Sequence, residues 1–174
     1  RSSDLDEYNY IRISELTIHY TPARDFATCI LPPEENGKKG LFLSSLPQEK
    51  YHKKMKDCGI VAILSILERP IVYPEYFKHK QLILEDDEGA SIFPCFEEAY
   101  EFISHHRTEG HVFVHCLAGI SRSVTVVIAY LMKEYNWPLD KAYAHVLQRR
   151  KFIRPNGGFL KELKNWEEYL ANQK

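Results

Sequence analysis

Apolar and polar positions change period along this chain, and the sharpest change falls between His111 and Met132. His111-Val112-Phe113-Val114 is a short β-branched and aromatic run, the composition of a buried strand. After an intervening loop, Val124, Val127, Ile128 and Leu131 recur at helical spacing. The pattern predicts strand, loop and helix in direct succession. Upstream, Leu41-Phe42-Leu43 opens a sheet, and Ile60 to Ile66 is a near-continuous apolar run suited to a central strand covered on both faces. Between them Tyr51, Met55 and Cys58, with lysines interleaved, predict an amphipathic helix over 47–57 that stops at Gly59. Pro70 and Pro74 mark a connection, and Gln81-Leu82-Ile83-Leu84 reads as the next strand. A helix from about Ile92 to His106 places Phe96, Ala99, Tyr100 and Ile103 on one face. Pro138 starts another, through about Arg150, with Ala142, Val146 and Leu147 inward. Leu160, Leu163, Trp166 and Leu170 give a last amphipathic helix. Strands alternating with helices of these lengths predict a three-layer α/β domain.

The N-terminal part reads differently. Arg1 to Tyr8 is polar and charged, while Tyr10-Ile11-Arg12-Ile13 and Leu16-Thr17-Ile18-His19 read as short ordered pieces. Thr21 to Lys39, with Pro22, Pro32, Pro33, Gly37 and Glu34-Glu35, reads as a loop or wrapping extension that covers a sheet edge or shapes access to the site. The expected division is an extension over 1–39, packed on or near the core, and the main folded domain over 40–174.

Composition narrows the class. A chain of 174 residues with 44% hydrophobic content has enough apolar side chain for one substantial core. A formal net charge of −1 provides no global field to recruit nucleic acid or an anionic membrane. No apolar run is long enough to span a bilayer, and there is no secretory segment. The sequence begins at Arg1 without a methionine, as expected of a fragment whose native N-terminal signals lie elsewhere. Cys29, Cys58, Cys95 and Cys116 are irregularly spaced and favour a reducing compartment, cytoplasm or nucleus, over a disulfide framework. His105, His106, His111 and His115 lie close in sequence, but not at the spacing of a helical ligand pair, so no metal and no cofactor is expected.

The chemistry concentrates in Cys116-Leu117-Ala118-Gly119-Ile120-Ser121-Arg122-Ser123. A loop entering a helix N-terminus gathers backbone N–H groups into one concavity and adds the positive end of the helix dipole, so an anion is the expected occupant. Cys116 stands at the mouth of that field, which favours the thiolate, the nucleophilic form. Arg122 can fold back and hold two phosphate oxygens with its planar fork. Gly119 permits a tight turn and close backbone approach.

His115-Cys116 followed by Gly119 and Arg122 resembles the motif of the cysteine-dependent protein phosphatases, and Ala118-Gly119-Ile120-Ser121-Arg122-Ser123 resembles the dual-specificity branch in particular. The resemblance extends from about Gly40 to Leu170 and includes Arg154-Pro155-Asn156-Gly157-Gly158-Phe159-Leu160. It implies a protein tyrosine phosphatase-like fold: a central, mixed but mostly parallel sheet of about five strands flanked by helices. It further implies that Cys116 is the nucleophile, that the amides of Leu117, Ala118, Gly119, Ile120, Ser121 and Arg122 bind the phosphate, and that His115 orients the loop. Ser123, a helix cap on the bland reading, would hydrogen-bond the sulfur when the phosphocysteine breaks down. Asn156 would brace the loop.

The leaving oxygen needs a proton donor, and the acidic run Glu85-Asp86-Asp87-Glu88 after a strand is the candidate source. In the family the acid precedes an aliphatic residue by six positions, which selects Asp86 before Ile92, with Asp87 the rival. Arg149, Arg150, Lys151 and Arg154 form the most basic patch, read either as helix-dipole compensation or as a docking surface for substrate phosphates or acidic residues. Leu117, Ala118 and Ile120 carry no charge, which favours a phosphorylated protein over a lipid-directed substrate. The implied activity is hydrolysis of phosphotyrosine and phosphoserine or phosphothreonine monoesters. The alternatives are a catalytically silent phosphoprotein-binding module and a phosphatase of a phosphoinositide, glycan or RNA 5′ end. The oligomeric state is left open.

Overall fold

Short apolar runs hydrogen-bond into one sheet, and helices cover both of its faces. The computed structural model describes residues 27–174. In chain order the elements are β1 (Thr28–Leu31), β2 (Leu41–Ser44), α1 (His52–Asp57), β3 (Ile60–Leu67), β4 (Lys78–Ile83), α2 (Phe93–His106), β5 (His111–His115), α3 (Arg122–Tyr135), α4 (Leu139–Arg149) and α5 (Gly157–Ala171). The strand order is β1-β2-β5-β3-β4, with β1 antiparallel to β2 and every other pair parallel. This is the mixed, mostly parallel five-stranded sheet expected.

The period-two alternation of the strands separates two cores. Phe42, Phe113 and Ile63 stand in register and share one face, where they pack with Met55 of α1 and with Tyr73 and Phe77 from the β3–β4 connection. Leu41, Leu43, Val112, Val114, Ala62 and Leu64 point to the other face, against α3 and its neighbours. Every residue from Arg122 to Met132 is buried, the pattern of a helix enclosed on all sides by the sheet, α2, α4 and α5. Trp166 of α5 is buried in this core and its Nε1 donates to the Ala129 carbonyl at 3.1 Å. Such enclosure makes α3 rigid, and truncating one of its core side chains costs about 2–5 kcal/mol. No helix among the described residues is long and apolar enough to cross a membrane.

The structure corrects several sequence expectations. Thr28–Leu31, read as loop, is an edge strand on β2, because Cys29, Ile30 and Leu31 bury apolar surface there. The helix expected over 47–57 is a 3₁₀ turn, Glu49–Tyr51, followed by the short α1. β4 begins at Lys78, before the apolar residues that announced it, since an edge strand tolerates polar side chains. Leu147 is 38% exposed, whereas its neighbour Val146 is fully buried. The stripe runs through Ala142 and Val146, and Leu147 lies about 100° off it. The pieces read at 10–13 and 16–19, and the polar start at 1–8, lie outside the described residues.

Candidate active site

β2, β5 and β3 run parallel, so their C-terminal ends form one edge, and His115 at the end of β5 stands between Ser44 and Ser65 in register. Anion sites in such sheets form beyond the carboxyl ends of the strands, where the chain turns into a helix. Cys116 to Ser121 makes that turn, and α3 starts at Arg122.

The loop's carbonyls are held on its outer side. Leu117 O accepts from Leu46 N at 2.9 Å, Gly119 O from Arg150 Nε at 2.8 Å, Ile120 O from Arg154 N at 2.8 Å, and Ser121 O from Thr125 N at 2.9 Å. Arg150 Nη2 reaches Ala118 O at the longer distance of 3.5 Å. In a planar trans peptide the N–H points opposite to the C=O, so fixing these carbonyls outward turns the amides of residues 118–122 into the concavity. The Gly119 amide is so turned, donating to Cys116 Sγ at 3.2 Å. Gly119 itself has φ +67°, and a Cβ there would lie 2.5 Å from Arg150 Nη2 and 2.7 Å from the Ser44 carbonyl, so no other residue fits. The N-cap of α3, Ser121, makes no side-chain capping bond, which leaves the first-turn amides available to a ligand.

Cys116 is 2% exposed on the floor of this cup. Ser123 Oγ lies 3.1 Å from its Sγ; Ser123 sits inside the first turn and does not cap the helix. Arg122 is buried, and its Nη1 donates to the Glu68 carboxylate and, at 2.9 Å, to the Leu84 carbonyl. Its Nε is buried without a hydrogen-bond partner. The bond from Arg122 holds the Glu68 carboxyl below the usual carboxylate range. Glu68, at the end of β3, thus anchors one edge of the guanidinium and leaves the other for an incoming anion.

His115 is fully buried, and burial pushes its imidazole down to about 4, so it is neutral at physiological pH. Its Nδ1 lies 2.8 Å from the Cys116 carbonyl, an obligate acceptor, so Nδ1 carries the proton. Nε2 is then the acceptor, with two hydroxyls in reach of its single lone pair, Ser65 Oγ at 2.7 Å and Tyr73 OH at 2.8 Å. The histidine therefore ties the Cys116 peptide to strand β3 and the β3–β4 connection.

Asp86 is exposed beyond the end of β4, and its Oδ1 accepts from Asn156 Nδ2 at 2.9 Å. Asn156 also caps α5 through Phe159 N at 2.8 Å, while its own N–H donates to Ser121 Oγ at 3.1 Å. One residue thus connects the acidic segment to the loop that carries Cys116. Gly158 has the Glu88 carbonyl oxygen 2.1 Å from where a Cβ would stand, so the glycines after Asn156 let the acidic segment rest on the start of α5. Asp87 is exposed as well, and its carbonyl accepts from Ala90 N in a turn.

Three site features escaped the sequence reading. Glu68 and Tyr73 fall in the connection after β3, and Ser65 inside the apolar run read as a central strand; strand register was the signal that could have found Ser65. Arg150, grouped with Arg149, Lys151 and Arg154 in a surface patch, is 1% exposed and points inward. The four clustered histidines disperse. His111 Nδ1 accepts from Gly40 N at 2.8 Å, and His115 serves the loop. His105 and His106 meet Glu109 with ligand atoms within 4.8 Å, a set able to take a cation, at the end of β5 opposite Cys116. Of the other thiols, that of Cys29 is pushed up to about 12 by burial.

Residues 41–169 match the family model for the dual specificity phosphatase, catalytic domain. Protein phosphatase Slingshot homolog 1 of human and mouse is 36% identical over 136 residues, which is 77% of this chain and 13% of the relative. Dual specificity protein phosphatase 1-B of Xenopus laevis is 41% identical over 126 residues, 69% of this chain and 34% of the relative. The chain therefore spans about an eighth to a third of the length of these relatives. Among solved structures, human tyrosine phosphatase-like serine/threonine/tyrosine-interacting protein aligns with a TM-score of 0.75 at 29% identity, over 83% of this chain and 97% of that one. With the matched region running through the loop from Cys116 to Ser123, Asp86 and Asn156, this chain belongs to the dual specificity phosphatase catalytic-domain family.

Proposed function

We propose that the chain hydrolyses phosphate monoesters of tyrosine and of serine or threonine in proteins, through a phosphocysteine intermediate. The observation that carries this reading is Arg122 Nε, buried and without a partner at the end of a loop whose Gly119 amide turns inward to Cys116 Sγ. A buried donor left unpaired costs about 1–3 kcal/mol, a cost that a bound phosphate oxygen removes.

In the first step Cys116 Sγ attacks phosphorus in line. The S–P bond forms as the ester P–O bond breaks, and Asp86 gives its proton to the leaving oxygen. The amides of residues 117–122 and the free edge of Arg122 hold the equatorial oxygens, whose charge is best met by donors fixed in advance. In the second step Asp86 takes a proton from water, the water oxygen bonds phosphorus, and the S–P bond breaks. Ser123 donates to the sulfur as it departs with the electron pair. Arg122 and the amides supply the charge stabilisation, so no step calls on a metal or cofactor.

The neutral rim supports a protein substrate: Leu117 is 47% exposed, Ala118 is exposed and Ile120 half-buried. A rim built for several phosphates would carry lysines. A second reading, a silent phosphoprotein-binding module, has support in the likeness to a protein named as phosphatase-like and interacting. The test is phosphate release from phosphotyrosine and phosphothreonine peptides and from soluble inositol phosphates, by the wild type and Cys116→Ser. Release from peptides that Cys116→Ser abolishes is the expected result. Peptide binding without release would establish the binding module, and preference for inositol phosphates would overturn the protein substrate.

A further inference from the structure

The segment that follows α4 wraps the outer side of the phosphate loop, and one side chain in it has two addresses. Arg150 donates from Nε to Gly119 O at 2.8 Å, and from Nη1 to Thr28 Oγ1 on β1 at 2.9 Å. Nη2 points to Ala118 O at 3.5 Å, and the guanidinium lies 4.5 Å from the centre of the Phe152 ring. The group is 1% exposed. A guanidinium is rigid and planar, so its donors move together, and holding one edge at Thr28 sets the direction of the other at Gly119. Arg150 lies within reach of the Gly119 position itself, where even a methyl group would collide with Nη2. Thr28 lies outside the matched family region, residues 41–169, while Arg150 lies within it.

We propose that Thr28 and Arg150 are positioning residues for the phosphate loop, so that strand β1, outside the matched region, is part of the catalytic framework. The argument follows the peptide planes. Arg150 fixes the Gly119 carbonyl outward, which fixes the Ile120 amide inward, and its weaker contact at Ala118 does the same for the Gly119 amide that meets Cys116 Sγ. Thr28 keeps the fork in the one orientation that serves both carbonyls. Loosening that orientation weakens the grip on oxyanion charge, which is greatest in the transition state, so turnover falls more than substrate affinity.

The kinetic arm of the test rests on the phosphatase reading; the binding arm does not. kcat and KM for an aryl phosphate, and affinity for inorganic tungstate by calorimetry, are measured for the wild type, Thr28→Val, Thr28→Ser and Arg150→Lys. Thr28→Val keeps shape and strand preference but removes the hydroxyl. It is expected to lower kcat by about three- to tenfold with KM within about twofold, and to weaken tungstate by a similar factor to kcat. Thr28→Ser is expected to restore both. Arg150→Lys, which keeps charge but loses the fork, is expected to lose about tenfold or more. If Arg150→Lys does not fold, Thr28→Val carries the test, because Thr28 is partly exposed. Unchanged kcat and tungstate affinity in Thr28→Val would overturn the proposal. So would a loss that Thr28→Ser fails to reverse, which would assign the effect to strand packing. A wild type that binds tungstate but releases no phosphate would remove the phosphatase reading and leave the brace to be judged by affinity alone.

Discussion

The two ends of β5 each carry a buried arginine, and their surroundings treat the two in opposite ways. Where β5 begins, Arg107 is fully buried and each of its nitrogens has a partner: Nε meets Lys39 O at 2.7 Å, Nη2 meets Glu34 Oε2 at 2.7 Å, and Nη1 meets Tyr130 OH at 2.9 Å and Tyr135 OH at 3.4 Å. Glu34 also accepts from Tyr135 OH at 2.7 Å, and Lys38 from the same turn pairs with Glu134. That closed network clamps the 34–39 turn onto α2 and α3. Where β5 ends, Arg122 keeps Nε free beside Cys116. A buried charge with every nitrogen partnered serves the fold, whereas one held by a single edge is prepared for a ligand. The difference separates structure from function within one chain.

Substituting each arginine should therefore break different properties. Arg122→Lys is expected to lower kcat for an aryl phosphate by roughly 10³-fold, since a fixed donor to the transition-state charge is lost, with the unfolding midpoint little changed. A midpoint that fell in step with activity would erase the contrast. Arg107→Met is expected to cost about 3 kcal/mol in urea unfolding, because Glu34 and the two tyrosines lose their shared partner. At a temperature where it stays folded, its kcat is expected to remain within about threefold of wild type. A larger kinetic loss in Arg107→Met would mean that the clamp reaches the site.

A smaller effect sharpens the site end. Asp86→Asn keeps an acceptor for Asn156 but cannot donate a proton to the leaving oxygen. kcat for an alkyl phosphate, which has a poor leaving group, should fall about 10²-fold, and more than for an activated aryl phosphate. Equal losses on both substrates would reassign the acid, with Asp87→Asn the next variant to measure.

What the sequence showed, and what it hid, follows from the range of each interaction. The strand–loop–helix from His111 to Met132 was legible because hydrophobic period, Gly119 and the Cys116–Arg122 interval are all local signals. α2 and α4 were found to within a residue for the same reason, and the stripe Leu160, Leu163, Trp166 and Leu170 lies on α5. Arg150 and Glu68 were not, because each acts across the fold: Arg150 on a loop 31 residues away and Glu68 on an arginine 54 residues away. A run such as Arg149-Arg150-Lys151 looks uniform in sequence, and only the turn at the end of α4 sends the middle residue inward. β1 was missed because four residues among prolines carry too little periodicity, and its pairing with β2 supplies the missing energy. Thr28, which joins that strand to the loop, was invisible for both reasons.

The smallest effect concerns the histidine beside Cys116, and its sign is fixed by burial. In the unfolded chain His115 titrates near 6.5, and in the folded protein burial lowers it to about 4. Above pH 6.5 both states are neutral and the group contributes nothing to the pH dependence. As pH falls below 6.5 the unfolded chain takes up a proton that the folded chain refuses, so stability drops by about 1.4 kcal/mol per pH unit until about pH 4, where it levels off. His52, His79 and His145, also lowered by burial, add to the slope, so the wild-type curve alone does not isolate His115. His115→Asn does, because its amide nitrogen replaces the Nδ1–H that meets the Cys116 carbonyl while removing the titration. The variant should be less stable than wild type at pH 7, and the gap should narrow by up to about 2 kcal/mol at pH 5, read from urea unfolding at the two pH values. A gap that stays constant would mean that the imidazole takes up its proton in the fold as readily as in the unfolded chain, and a gap that widens toward pH 5 would mean that the fold favours the imidazolium; either result would end its role as a neutral brace. The same measurement at the other end of β5 separates the two regions once more: Arg107 holds its proton across this range, so Arg107→Met should shift the whole curve without changing the part of its slope that His115 supplies.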